Sequence, residues 1–396
     1  MIRQNIIWLI FFLLVPLLGI FYIGRRFIHP MKWKRRTKLG AWILLVAMFC
    51  LPVFSMRFLR SHGETAYLFS WGVFTGLGLL SFIFVLLFFR DCSLLLMHMV
   101  RKTGSFFSPK IVPLDSSRRE FLVQSSNLGI LAASGIAVSY GIYEARKTPG
   151  VVHLEIPVER LPNAFHGFKI VQISDIHAGL TVDGAWIEKV VEEVQKQQPD
   201  CIAFTGDMVD GSVRQLQNDV APLKELSAPY GKYFTTGNHE YYSGAPEWIA
   251  YAGTLGFDVL MNEHRAVEKE NEKIILAGVT DFTAGQFYKE QASDPRKAID
   301  SAPNDAVKIL LAHQPRTIYN IEGLDYDLVL SGHTHGGQFF PWNLLATFGQ
   351  PFIKGLHQWN SALVYVSKGT GYWGPPVRLG ARSEITVVTL KKKNLI

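Results

Sequence analysis

At 396 residues the chain is long enough for a membrane region plus one domain of ordinary size. Its net charge of +7 is unevenly spread: residues 1–149 hold 18 Lys/Arg against 5 Asp/Glu, and residues 150–396 hold 22 against 28. The positive charge therefore belongs to loops flanking apolar segments, nucleic acid is not an expected partner, and a single cysteine in the second half, Cys201, excludes a disulfide framework there.

Three apolar runs, Asn5–Tyr22, Ala41–Met56 and Tyr67–Phe89, match or nearly match the roughly 20 residues that a hydrocarbon core requires. They predict transmembrane helices over about 5–24, 40–58 and 67–89. A less apolar, Gly/Ala/Ser-rich stretch over about 124–143 leaves two readings, a late transmembrane helix or a signal-like segment.

Lys and Arg are retained on the cytoplasmic side. Arg25, Arg26, Lys32, Lys34, Arg35, Arg36 and Lys38 put the loop after the first span inside; Arg90, Arg101, Lys102, Lys110, Arg118 and Arg119 put the stretch after the third inside too. A fourth crossing then carries residues from about 145 onward out of the cytoplasm. The expectation is a multi-pass protein of the cytoplasmic membrane whose second half is extracytoplasmic. The string Ser117-Arg118-Arg119-Glu120-Phe121-Leu122 resembles a twin-arginine export signal, which would make the export machinery a partner; the other reading is paired arginines flanking a helix end.

From Lys169 onward, short apolar runs alternate with polar, helix-like stretches, the pattern of buried strands with covering helices. Strands are predicted at Lys169–Ser174, Cys201–Thr205, Tyr233–Thr236, Phe257–Met261, Lys273–Val279, Val307–Leu311, Leu328–Ser331, Ala362–Ser367 and Ile385–Leu390. Helices are predicted at Gly184–Gln198, Ala245–Leu255 and Arg316–Glu322, and Pro341–Trp359 reads as an exposed loop punctuated by Pro, Gly and Asn. The expected organisation is a membrane region over 1–149 followed by an α/β domain over 150–396.

Five polar blocks follow these strands: Asp175-Ile-His177, Gly206-Asp207, Gly237-Asn238-His239-Glu240, His313, and Gly332-His333-Thr334-His335. Singly each has an ordinary structural reading, since Asp-x-His can pair with itself, Gly-Asp is a common turn and a buried histidine is usually just hydrogen-bonded. Yet five of the twelve histidines fall in these blocks, each at a strand end beside Gly or a carboxylate. Open α/β sheets bind ligands at the carboxyl ends of their strands. Two carboxylates, an amide oxygen and several imidazoles brought there form a mixed nitrogen and oxygen donor set, which disfavours Mg²⁺ and Ca²⁺ and suits Mn, Fe or Zn.

The five blocks in this order resemble the calcineurin-like metallophosphoesterase superfamily. The resemblance covers roughly 165–392 and is closest to the bacterial membrane-associated branch with the YkuE and YaeI phosphodiesterases, on His333-Thr-His-Gly-Gly-Gln338, Gly369-Thr-Gly371, Pro376-Val-Arg378 and Ser383-Glu-Ile385. Ser383 departs from the branch, which often has Pro there. The resemblance implies a β-sandwich of mixed sheets flanked by helices, and two divalent or trivalent metal ions bridged by Asp207. One ion would be held by Asp175, His177 and His335, the other by Asn238, His313 and His333. His239 would face the substrate as a proton donor or charge stabiliser. Two such ions can activate a bridging hydroxide and clamp phosphoryl oxygens during in-line attack.

Gln338 has two readings, an entrance residue or part of a Gly-rich turn, and Arg378 has two, a bidentate phosphate donor or a surface salt bridge. Tyr241, Tyr242, Trp248, Phe339, Trp342, Phe348, Trp359, Tyr372 and Trp373 cluster near or after the blocks and have three readings, an apolar wall for a lipid-like substrate, a surface lying against the bilayer, or core, of which a mixture is expected. The leading expectation is a membrane-anchored phosphoesterase acting on a phosphate monoester or diester, lipid-linked or not. A cytoplasmic-face pyrophosphatase of a nucleotide-linked lipid (UDP-diacylglucosamine type) keeps the chemistry but needs the fourth segment not to cross. A non-catalytic membrane scaffold would be suggested by a missing ligand, and none is missing.

Overall fold

The computed structural model describes residue 14 and residues 16–58, 63–104 and 115–393. The chain divides into two compact units, Met1–Gly141 and Ile142–Ile396. The first is helical, with Arg35–Phe58, Gly63–Gly104 and the start of Ser116–Arg146 as its long helices. Much of the expected 5–24 span lies outside the described residues. Of the described helices, Ala66–Val100 and Ser116–Arg146 are long and apolar enough to cross a membrane; Arg35–Phe58 is helical over the expected 40–58 span but falls short of that standard.

A buried amide in this unit is fully paired, as a low-dielectric surrounding favours. The chain makes a π-type turn at Gly24–Ile28. The fully buried Asn127 donates to the Arg26 and Phe27 carbonyls there, each at 3.2 Å, and accepts from Arg90 Nη1 at 2.6 Å.

The second unit contains two six-stranded mixed sheets. One has the order β1-β12-β2-β3-β4-β5 and the other β10-β11-β9-β8-β7-β6. The strands are β1 Gly150–Val158, β2 Lys169–Ile173, β3 Cys201–Thr205, β4 Lys232–Thr235, β5 Asp258–Val259 and β6 Glu263–Lys269. They continue with β7 Glu272–Gly278, β8 Val307–Leu311, β9 Leu328–Ser331, β10 Gly355–Trp359, β11 Ala362–Val366 and β12 Glu384–Lys392.

Side-chain alternation along the strands makes the layers. Ile170, Cys201 and Ala203 point inward to meet Leu276, Ile309, Leu311, Leu328 and Leu330 of the other sheet. Their neighbours Val171, Ile173, Ile202 and Phe204 point outward under Trp186, Ile187, Val190 and Trp248 of the covering helices. On the far side, Leu310, Val329 and Val364 pack against Ile318, Ile321 and Tyr326. Every residue of β3, β4, β8 and β9 is buried, which is why these strands read as mostly apolar runs, Lys232 and Lys308 aside.

Three strands lie outside the expectations, and all three are edge strands: β1, β6 and β10 close the sheets on their outer sides. In β6 the polar residues of Glu263-His-Arg-Ala-Val-Glu-Lys269 disfavour further pairing and erase the apolar signature, whereas β1 keeps an alternating apolar pattern. β10 and a short helix, Trp342–Ala346, also correct the expectation of a continuous loop over Pro341–Trp359. Arg316–Glu322 is not an α-helix: Pro315–Asn320 forms 3-10 turns after the buried Pro315.

Helix Gly184–Lys196 is the best-formed cover. It buries Trp186, Ile187, Val190, Val191 and Val194 on one face, and Asp183 caps it by accepting from the Trp186 N–H at 2.9 Å. Asp183→Ala is expected to cost about 1 kcal/mol of stability in urea unfolding, with no change in the metal content of the site below.

Candidate metal centre

The strands β2, β3 and β4 run parallel in one sheet, and β8 and β9 run parallel in the other. The five blocks leave the carboxyl ends of these five strands, so donors from both sheets meet at the seam rather than at the edge of a single sheet. Two bonds tie the sheets there: Gln172 Nε2 donates to Ser331 O at 3.0 Å, and His313 Nδ1 donates to Thr205 O at 2.7 Å.

The backbone is bent sharply to aim the donors inward. Asp175, His177, Asp207, His333 and His335 all have φ between +51° and +71°, a region costly for residues with a Cβ and concentrated at functional sites. Close chain approach accompanies the bend. A Cβ on Gly332 would collide with Ser174 Oγ and Asp175 Oδ2. Gly332→Ala is therefore expected to destabilise the fold by about 1–3 kcal/mol and to lower metal content. Gly253→Ala, where a Cβ meets open space, should do neither; denaturant unfolding with metal analysis checks both.

One group of donors is Asp175, His177 and His335, whose ligand atoms lie within 4.8 Å of one another. His177 Nε2 and His335 Nε2 face each other at 3.0 Å, and Asp175 Oδ1 is 3.6 Å from His335 Nε2. The second group is Asp207, His313 and His333, also within 4.8 Å, with Asn238 Oδ1 3.2 Å from His313 Nε2. Asp207 Oδ2 reaches both groups, at 3.0 Å from His313 Nε2 and 3.7 Å from His177 Nε2.

Hydrogen-bond chemistry tests whether this set fits a cation. The His313 Nδ1 proton is committed to a carbonyl, so Nε2 is the atom presented to Asp207 Oδ2, Asn238 Oδ1 and His333 Nδ1, the last at 3.2 Å. Two of these partners are oxygens that only accept. Electron pairs thus converge where a positive charge is required, a proton or a metal ion, and the set fits a metal ion.

The electrostatics agree. Burial would raise the Asp207 carboxyl, but the His313 and His239 imidazoles outweigh it and hold it well below the usual carboxylate range. Burial would lower His313, but Asp207 pushes it up to about 10. Burial, reinforced by neighbouring imidazoles, drives His333 and His335 well below the ordinary histidine range, leaving both neutral with free lone pairs.

His239 forms a third group with His177 and Asp210, their ligand atoms also within 4.8 Å of one another. Its main-chain N–H donates to Asp207 Oδ1 at 2.8 Å, and its Nδ1 lies 2.5 Å from Asp210 Oδ1. Its Nε2 lies 4.0 Å from Asp207 Oδ2. Against burial, Asp207 and Asp210 push its pKa up to about 9. Asp210 also contacts His177 Nδ1 at 3.1 Å, so one carboxylate orients both rings. Sequence reasoning missed Asp210; the only signal was a second carboxylate three residues after Asp207. The partner of His239 is not the adjacent Glu240, whose carboxylate instead accepts from the N–H groups of Asp207, Met208 and Gly237 at 2.6–2.9 Å and fixes that loop.

Gln338 and Arg378 are not where a substrate contact would need them. Arg378 is buried, with its guanidinium donating to the carbonyls of His335, Lys368, Gly371 and Ala381 and lying 3.0 Å from His335 Nδ1. It braces His335 from behind, which replaces both of its sequence readings. Gln338 Nε2 donates to the Trp373 and Pro375 carbonyls at 3.0 Å, pinning the loop that carries Trp373. Trp373, Tyr242 and Phe287 are exposed aromatics around His239, with the first two ring centres 5.7 and 5.1 Å from the imidazole. Trp248 and Tyr372 belong to the core.

A calcineurin-like phosphoesterase family model matches residues 168–337. A zebrafish (Danio rerio) transmembrane protein with metallophosphoesterase domain is 39% identical over 273 residues, 67% of this chain and 62% of that protein. The bovine (Bos taurus) protein of the same description is 35% identical over 394 residues, 95% of this chain and 87% of that one. The uncharacterized metallophosphoesterase YkuE of Bacillus subtilis is 32% identical over 290 residues, 70% of this chain and 99% of that protein.

Proposed function

This chain belongs to the calcineurin-like phosphoesterase family and is a hydrolase of phosphoester bonds, and from that premise we propose that it is a membrane-anchored dimetal phosphoesterase. The observation that carries the dimetal reading is Asp207 Oδ2, which reaches the imidazoles of both donor groups. Asp175, His177 and His335 would hold one ion, Asn238, His313 and His333 the other, and Asp207 both. The donor chemistry favours Mn, Fe or Zn. When bound, the ions supply charge that activates water and neutralises phosphoryl oxygens.

The chain's own residues do the rest. Asp207 spans the two groups while its Oδ1 holds the His239 main chain. Asp210 fixes His239 Nδ1, so the proton available to a leaving oxygen is the one on Nε2. That proton is present at neutral pH because the two carboxylates raise the imidazole. Glu240, through three main-chain N–H groups, keeps the Asp207 and Gly237 loops in register. The exposed aromatics Tyr242, Phe287 and Trp373 favour a phosphate ester with an apolar portion.

Two apolar helices and the names of the zebrafish and bovine relatives support membrane association. The domain division proposed is a multi-pass membrane region over 1–149 and a catalytic domain over 150–396. In this reading Ser117–Leu122 opens the last span from the cytoplasmic side, and the Lys/Arg distribution turns the catalytic domain outward. A reporter fused after Ile396 that is active only in the cytoplasm would sink that orientation.

Reloading the metal-stripped chain separately with Mn²⁺, Fe²⁺ and Zn²⁺, then profiling a phosphomonoester, bis(4-nitrophenyl) phosphate and phospholipid vesicles, tests the activity. Hydrolysis restored by at least one ion is expected. A chain that holds no metal and turns over none of these would be a scaffold.

A further inference from the structure

A cation other than the one the sequence singles out stands near the donor groups. Arg378 is consumed by carbonyls behind His335. Arg316, three residues after His313, is half-buried and has no ion pair and no side-chain hydrogen bond among the described residues; its Nε is buried without a partner. Pro315 and the 3-10 turn fix its main chain, and its N–H donates to Gln350 Oε1 at 3.0 Å. The guanidinium carbon lies 5.1 Å from the Phe282 ring centre, a stacking that holds the plane of the fork.

The neighbouring acid is bonded to other groups. Asp281, beside Phe282, accepts from Gln314 Nε2 at 2.9 and 3.0 Å and from Thr283 Oγ1 at 2.5 Å. Gln314 Oε1 in turn accepts from Gln350 Nε2 at 3.3 Å. These bonds link Asp281, Gln314 and Gln350, and the last of these also accepts the Arg316 main-chain N–H. Phe282 and Arg316 follow the carboxyl ends of the parallel strands β7 and β8, the same end from which the donor blocks leave, and the Asp281 N–H donates at 3.2 Å to Thr236 Oγ1, the residue before Gly237-Asn238, so the guanidinium stands at the same end of the sheet as the donor groups.

A partly desolvated guanidinium with an unpaired buried donor is costly to maintain unless a ligand completes it. The ligand its planar, five-donor fork matches is an oxyanion, gripped bidentately. We propose that Arg316 is the anion subsite of this centre, binding a non-bridging phosphoryl oxygen of the substrate; the assignment rests on the phosphoesterase reading above.

Inorganic phosphate is the probe, titrated calorimetrically into the metal-loaded full-length chain. Arg316→Gln, which keeps the length and much of the shape, is expected to weaken phosphate binding on the order of 10- to 100-fold. Arg316→Lys should recover part of the loss, because a point charge replaces a fork. Metal content and melting temperature should match the wild type in both. For the hydrolysed esters, KM should rise more than kcat falls.

Phosphate binding unchanged in Arg316→Gln overturns the inference. So does a loss that merely tracks lost metal or a lowered melting temperature, since that would make Arg316 structural. A wild type that binds phosphate through Arg316 yet hydrolyses no ester would sink the phosphoesterase reading alone. A wild type that hydrolyses esters while Arg316→Gln is indifferent to phosphate would sink only this one.

Discussion

Asp207→Asn is expected to lower kcat by at least about 10³-fold and to reduce the metal held by the chain. The substitution keeps shape. An Asn oxygen can still accept the His239 main-chain N–H that Asp207 Oδ1 accepts at 2.8 Å, so the loop has no reason to unfold. What disappears is one negative charge at the point 3.0 Å from His313 Nε2 and 3.7 Å from His177 Nε2. The carboxylate is ionised throughout the neutral range because His313 and His239 hold its pKa down against burial. Its loss removes the one donor that reaches both groups, and the several kcal/mol of charge stabilisation such a centre supplies go with it. Metal analysis and steady-state kinetics on the same preparation check this. Asp207→Asn with wild-type metal content and turnover would refute the bridging role.

His239→Ala is expected to separate chemistry from metal binding. kcat should fall by about 10²- to 10⁴-fold, the range for losing a positioned proton donor, while metal content stays near the wild-type value. The ring belongs to neither donor group around Asp207 Oδ2; its Nδ1 is held by Asp210 at 2.5 Å and its Nε2 is the free end. Asp210→Asn should give a milder loss, about 10- to 100-fold, as expected when a partner that orients a ring is removed. A His239→Ala variant that lost metal in proportion to activity would make His239 a ligand instead of an acid.

The legible part of this fold is the part buried on both faces. β3, β8 and β9 match the predicted boundaries because every residue in them is enclosed and most are apolar. β6, an edge strand, carries the polar residues that edges need and left little pattern to read, whereas the edge strand β1 has an alternating His-Leu-Glu-Ile-Pro-Val stretch that the strand expectations left out. β5 shrank from a predicted five residues to Asp258–Val259, being the last strand of its sheet.

At the site, the sequence supplied the donors but not their directions. Asp175, His177, Asp207, Asn238, His313, His333 and His335 converge, yet the positive φ values that aim five of them arise from close chain approach, which residue types do not announce. Proximity along the chain misled for Gln338, three residues after His335, which turns into the Trp373 loop. Arg378, 43 residues after His335, turns into the core behind that histidine. Asp210 was overlooked since a carboxylate before Gly and Ser reads equally well as a turn.

The central claim is two ions in one centre, and metal titration of the stripped full-length chain addresses it most directly. Hydrolysis of bis(4-nitrophenyl) phosphate should be absent without metal and reach its plateau as the chain takes up its second equivalent. A plateau at one equivalent, or turnover indifferent to chelation, would contradict it.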